Sequence, residues 1–218
     1  VIVGAIGITD GGNAFEGLAF IHHGGASGLS PTPNSTLDDA NSANSNFGWS
    51  VASAGDVNGD GCSDVIVGAP YFDDIASTDE GRIFIYHGGF TGLSSTPNLI
   101  LEGENQAFAN FGYFVASAGD INGDGFSDII VGAPLFDDGF ANEGKAYLYQ
   151  GSAGGINPVA VSTPDDANQA SASFGISVAS AGDVNGDGYS DIIIGALFYD
   201  DSPANEGGAF VYYGSSTG

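Results

Sequence analysis

Nine residues with nearly the same spelling occur three times in this chain, at almost constant distance. They read Asp56-Val57-Asn58-Gly59-Asp60-Gly61-Cys62-Ser63-Asp64, then Asp120-Ile121-Asn122-Gly123-Asp124-Gly125-Phe126-Ser127-Asp128, then Asp183-Val184-Asn185-Gly186-Asp187-Gly188-Tyr189-Ser190-Asp191. Their first aspartates are 64 and 63 residues apart. Repeats of that length mark an array of like units that bury their faces against one another. Other elements keep step. Phe47-Gly48, Phe111-Gly112 and Phe174-Gly175 precede the copies, and Val65–Ala69, Ile129–Ala133 and Ile192–Ala196 follow them. The chain opens on Val1-Ile2-Val3-Gly4-Ala5, the same apolar element one period earlier. The repeats therefore divide as 1–46, 47–110, 111–173 and 174–218 of one region, with the first and last expected to be incomplete.

Each nine-residue loop offers hard oxygen donors. Side chains supply them at positions 1, 3, 5 and 9, and a backbone carbonyl supplies one at position 7. The candidate ligands are Asp56, Asn58, Asp60, Cys62 and Asp64; Asp120, Asn122, Asp124, Phe126 and Asp128; and Asp183, Asn185, Asp187, Tyr189 and Asp191. Cys62, Phe126 and Tyr189 enter through their carbonyls alone. An all-oxygen set with several carboxylates suits Ca²⁺ better than zinc, copper or the rigid octahedron of magnesium. The loop is not an EF-hand, because position 12 is Val67, Val131 or Ile194. It closes instead at position 9, where Asp64, Asp128 and Asp191 are the expected bidentate ligands. Gly at position 6 permits the sharp turn. A lone copy would read equally well as an Asx-turn hairpin without metal. Three copies in register argue for three Ca²⁺ sites.

The charge balance narrows the partners. The 27 acids face only Arg82 and Lys145. Such a surface repels nucleic acid and anionic lipid. Cys62 stands alone, so no disulfide within the chain is possible, and its alignment with Phe126 and Tyr189 makes it a filler, not a nucleophile. There is no apolar run of 18 residues, and hence no helical membrane span is expected. With neither a signal peptide nor an initial Met, the chain reads as a mature product or a segment of something longer. Loops of this type belong where calcium is plentiful: an extracellular, cell-surface or periplasmic setting.

Four short strands are expected per repeat. Strand A covers 47–53, 111–117 or 174–180, and the acidic loop joins it to strand B at 64–69, 128–133 or 191–196. An acidic turn follows, with Asp73-Asp74, Asp137-Asp138 or Asp200-Asp201, ending in Glu-Gly at 16–17, 80–81, 143–144 and 206–207. Strand C covers 18–22, 82–86, 145–149 or 208–212, and a shorter strand D lies near 34–37, 98–101 and 159–162. One four-stranded antiparallel sheet cannot bury both faces, but radial stacking of several does. The fold class is all-β: β-propeller blades, about three and a half of them. The expected tally is 14 strands, and the two terminal pieces overlap in strands B and C without completing each other. Neighbouring blades are therefore expected from the same longer chain or from another subunit, with an irregular four-bladed closure as the alternative.

Phe-Gly, then Asp-x-Asn-Gly-Asp-Gly-x-x-Asp, then Gly-Ala-Pro at 68–70 and 132–134 resembles the FG-GAP repeat of integrin α-subunit propellers and their bacterial relatives. The fourth copy departs from it, with Leu197 after Gly195-Ala196, and so does the first, with Ile6 after Gly4-Ala5. The resemblance implies a calcium-bearing propeller with its metal loops on one face, working outside cells in adhesion or ligand recognition. No enzymatic motif competes. His22, His23 and His87 align with Tyr86, Tyr149, Tyr212, Gln150 and Tyr213, so their positions are interchangeable. Trp49 aligns with Tyr113 and Ile176 and reads as core or channel lining. The expected function is a non-catalytic module for adhesion, recognition or surface assembly, with a protein or glycan ligand. The alternative is the propeller of a secreted polysaccharide-acting enzyme or lectin.

Overall fold

The computed structural model describes residues 1–218 apart from 10, 11, 13, 39–41, 74–76, 165, 166 and 202–205. Asp74 of the first complete acidic turn thus lies outside the described residues. Fifteen strands are present among the described residues, and no helix is. The first repeat holds β1 (Ile2–Ala5), β2 (Leu18–Ile21), the small hairpin β3 (Gly24–Gly25) and β4 (Gly28–Leu29), and β5 (Ser35–Leu37). The second holds β6 (Ser50–Gly55), β7 (Asp64–Ala69), β8 (Arg82–Tyr86) and β9 (Leu99–Glu102). In the third are β10 (Phe114–Gly119), β11 (Asp128–Ala133) and β12 (Lys145–Tyr149). The fourth contributes β13 (Phe174–Gly182), β14 (Asp191–Ala196) and β15 (Gly208–Tyr212). Each repeat folds into its own antiparallel sheet in sequence order, and among the described residues only β6-β7-β8-β9 has all four strands.

These sheets are incomplete propeller blades, and their core lies between them. β7 and β11 are buried along their whole length, as near-continuous apolar runs require. Side chains alternate across a strand, so each blade serves two seams. Val65 and Val67 join Ala19, Ile21, Leu37 and Phe47 in the seam between the first two blades. Ile66 points the other way, to Phe111, Ile129 and Val131. Ile130 in turn meets Phe174, Ile192 and Ile194 of the last blade.

Strand A starts later than the sequence indicates in two blades. Phe47-Gly48 and Phe111-Gly112 lie ahead of β6 and β10 and are held by separate bonds. Phe47 N–H reaches back to the preceding blade, donating to the Glu16 carbonyl (2.8 Å), while Gly48 N–H donates to the Gly68 carbonyl of its own blade (3.1 Å). Phe111 and Gly112 repeat this on Glu80 (2.8 Å) and Gly132 (3.1 Å). The two backbones come so close that a Cβ on Gly68 would overlap the Gly112 carbonyl, and one on Gly132 that of Gly175. The Glu-Gly pair, read from sequence as a plain turn, is thus also part of the seam. A second departure is strand D of the third repeat. Between Pro158 and Pro164, which lack N–H donors, it shrinks to an isolated bridge, Leu148 to Ser162. That leaves 13 blade strands among the described residues, not 14, plus the unexpected β3–β4 hairpin.

Candidate metal loops

Every A–B pair carries a bulge just before its loop. The register shifts between Ser53 and Gly55, Ser117 and Gly119, and Ser180 and Gly182. These glycines have φ of 79°, 79° and 71°, the left-handed geometry such a bulge needs. The chain then leaves the sheet with the position-1 aspartate turned into the loop.

Inside the loop, carboxylates gather backbone donors. Asp56 Oδ1 accepts from Gly59 N–H (2.7 Å) and Asp60 N–H (3.1 Å), and its Oδ2 accepts from Gly61 N–H (2.8 Å). Asn58 Oδ1 accepts from Asp60 N–H (3.0 Å), and Asp60 Oδ1 from Cys62 N–H (2.8 Å). The second loop repeats these bonds at 2.7, 3.1, 2.9, 2.9 and 3.0 Å. The third does so at 2.7, 3.1, 2.9, 2.9 and 3.0 Å. Position 6 has φ of 84°, 91° and 95° at Gly61, Gly125 and Gly188, as the turn demands.

Position 9 is set apart from positions 1, 3 and 5. Asp64, Asp128 and Asp191 are wholly buried. Asp64 Oδ2 accepts from Val57 N–H (2.8 Å) and its Oδ1 from Gly88 N–H (2.8 Å), tying the loop to the end of strand C. Asp128 holds Ile121 and Gly151 N–H, and Asp191 holds Val184 and Gly214 N–H, in the same way. Burial pushes the Asp64 carboxyl above its ordinary value, against the pull of the Gly88 and Val57 N–H groups. It pushes Asp128 up to about 6, with the Asp124 and Asp120 charges adding to it and the Gly151 and Ile121 N–H groups opposing it. Among the described residues, no three acidic, His or Cys side chains stand together so as to hold a metal by themselves. A cation here must also draw on the Asn58-type amide and on backbone oxygen. The donor chemistry of the loops fits Ca²⁺: hard oxygen throughout, two half-exposed or exposed carboxylates at positions 1 and 5, and an amide between them.

Position 7 does more than its carbonyl. The Phe126 ring lies where a Cβ on Gly59 would be, and the Tyr189 ring covers Gly123 likewise. The aromatic side chains at the loop's one strongly variable position were the sequence signal for this contact between loops.

Other candidate groups have structural partners. His22 Nδ1 pairs with the Ser30 carbonyl (2.9 Å), and the backbone N–H groups of His23 and His87 donate to Asn34 and Asn98 Oδ1 (2.8 Å each). The chain's two basic side chains occupy the same place in successive blades, the first residue of strand C. Arg82 pairs with Glu102 and lies 3.9 Å above the Phe72 ring. Lys145 is buried and pairs with Glu104 (2.7 Å) and Asp138 (3.4 Å) beside Phe136. Burial works to lower its pKa, but the two carboxylates outweigh that and hold it raised. At the end of the strands remote from the loops, half-buried Trp49 meets Tyr71 edge-on (5.4 Å) and Tyr113 (5.2 Å).

Comparison with known proteins agrees with this geometry. The FG-GAP repeat model matches residues 47–86, 111–149 and 174–212, each running from the Phe of one seam to the end of strand C. Integrin alpha-5 of Xenopus laevis is 36% identical over 181 residues, covering 78% of this chain and 16% of that protein. Integrin alpha-4 of Xenopus laevis is 38% identical over 164 residues, 71% of this chain and 14% of the relative. Integrin alpha-6 of Gallus gallus is 39% identical over 156 residues, 70% and 14%. The chain thus spans less than a fifth of the length of these relatives. With its repeats matched in sequence and its blades and loops laid out as the motif requires, the chain belongs to the FG-GAP repeat family and is integrin α-like.

Proposed function

We propose that this chain is a non-catalytic, extracellular adhesion and recognition module whose A–B loops hold Ca²⁺ as structural ties. The observation that carries the reading is the near-identity of the three loops, which gather the same oxygens with the same backbone bonds. Bound calcium supplies positive charge where three carboxylates per loop crowd together. Asp56, Asn58 and Asp60, with the Cys62 carbonyl, would hold it in the first loop. Asp64 braces that loop from behind and adds an oxygen as the loop tightens. The same roles fall to the residues of the other two loops. Metal binding of this kind adds directly to folding free energy.

Ligand recognition belongs to the opposite end of the blades. The rings of Trp49, Tyr71 and Tyr113 lie there with the acidic B–C turns, a chemistry suited to a cationic side chain of a protein ligand. The open faces of the first and last blades are apolar and take further FG-GAP blades, from a longer chain or another subunit. Relatives named as integrin α chains support the adhesive setting. Thermal unfolding and titration calorimetry test the metal reading: calcium raises the melting temperature and binds with measurable heat, and EGTA reverses both. An unchanged melting temperature with no binding heat rejects it.

A further inference from the structure

The loops are not independent. Asp56 begins the first loop, and its carbonyl accepts from Ser127 N–H of the second (2.9 Å), while its own N–H donates to Ser127 Oγ (3.2 Å). Ser190 N–H of the third loop meets the Asp120 carbonyl of the second at the same distance. The contacts extend to the next position: Ser152 N–H donates to the Val57 carbonyl and Ser215 N–H to that of Ile121 (3.0 Å each). Phe126 and Tyr189 lay their rings on Gly59 and Gly123. A Cβ on Gly55 or Gly119 would overlap the Ser127 or Ser190 hydroxyl, which shows how tightly each loop is braced. The third loop has no such brace. Nothing lies within 4 Å of a Cβ on Gly182 or Gly186, and Val184 is 56% exposed where Val57 is 0% and Ile121 2%.

We infer that positions 7 and 8 of the second and third loops, Phe126-Ser127 and Tyr189-Ser190, are positioning residues for the cation of the preceding loop, so that neighbouring sites bind cooperatively. The inference rests on the calcium reading. A cation in the second loop engages the Phe126 carbonyl and fixes its orientation. That same residue carries the ring on Gly59, and its neighbour Ser127 holds both backbone groups of Asp56. Ordering one loop therefore removes part of the ordering cost of the other, which is a coupling free energy between two sites. Coupling is reciprocal, so emptying either partner weakens the other.

Site-resolved calcium titration by amide NMR tests this, because Gly61, Gly125 and Gly188 N–H each donate to the position-1 carboxylate of its own loop. Asp187→Asn disables the third loop and raises the calcium midpoint at Gly125 by about five-fold. In a Tyr189→Ala/Ser190→Ala background that same change leaves Gly125 where it was, and Tyr189→Phe restores the coupling. Gly61, one loop further away, moves less than Gly125 with the 189/190 variants, which separates positioning from general loss of stability. If all three glycines respond to calcium but Gly125 ignores Asp187→Asn, the inference is overturned and the metal reading stands. If no glycine responds, both fall.

Discussion

The two inner blades and the last blade carry the same motifs but live in different surroundings. β12 is buried at every position, whereas its counterpart β15 alternates between half-buried and exposed. β11 is wholly buried and β14 only mostly so. Yet the third acidic loop has the same internal hydrogen bonds as the other two. Local sequence alone therefore sets the loop's shape, and a neighbouring blade sets burial. A blade is a self-contained hairpin system without a self-contained core, as expected where each repeat gains stability from its interfaces.

Matched substitutions should expose that split. Ile130→Ala removes a fully buried side chain from the last seam and should cost about 2–5 kcal/mol. Val211→Ala, on the open side of β15 at 46% exposure, should stay within about 0.5 kcal/mol. Denaturant unfolding reads both, and equal costs would break the comparison. Calcium comes next. At a calcium concentration about 100-fold above the dissociation constant, one site adds roughly 2.7 kcal/mol. Asp124→Asn should therefore remove about one site's share of the calcium-dependent rise in melting temperature. The seam glycines give a second pair. Gly132→Ala drives a methyl into the Gly175 carbonyl and should cost about 1–3 kcal/mol. Gly195→Ala meets only Ser177, at ordinary contact distance of 3.6 Å, and should be nearly neutral.

The same division explains what could be read from the chain beforehand. Strands B and C of the second and third repeats fall where their apolar runs place them, because those runs sit beside punctuating glycines and the loops. The three acidic loops could be picked out as repeats because their polar residues lie within nine positions. The contacts that join repeats were not. Phe47-Gly48 looks like the start of a strand, and only the structure shows Phe47 bonded to Glu16 of the blade before. Nothing in the spelling of Ser127 announces that it holds Asp56, which lies 71 residues away. Arg82 and Lys145 gave no sequence signal either, since their carboxylate partners come from Glu102, Glu104 and Asp138 through the fold.

The last expected effect concerns the electrostatic cost of burial in an inner loop. Asp128 is fully buried and its folded-state pKa is pushed up to about 6, above the ordinary carboxylate value of 3.8. Between those values the folded chain keeps a proton that the unfolded chain has released. Stability in the absence of calcium therefore falls as pH rises from about 4 to about 6, and the penalty is complete above that window. Asp128→Asn removes the titrating group and should flatten this part of the profile in EGTA. Calcium should do so in the wild type, by favouring the charged form that burial opposes. Melting temperatures across that range, with and without calcium, measure the effect. A calcium-free profile that rises through the window would mean that the N–H groups of Ile121 and Gly151 outweigh burial, making the buried carboxylate of the inner loop a source of stability before any metal arrives.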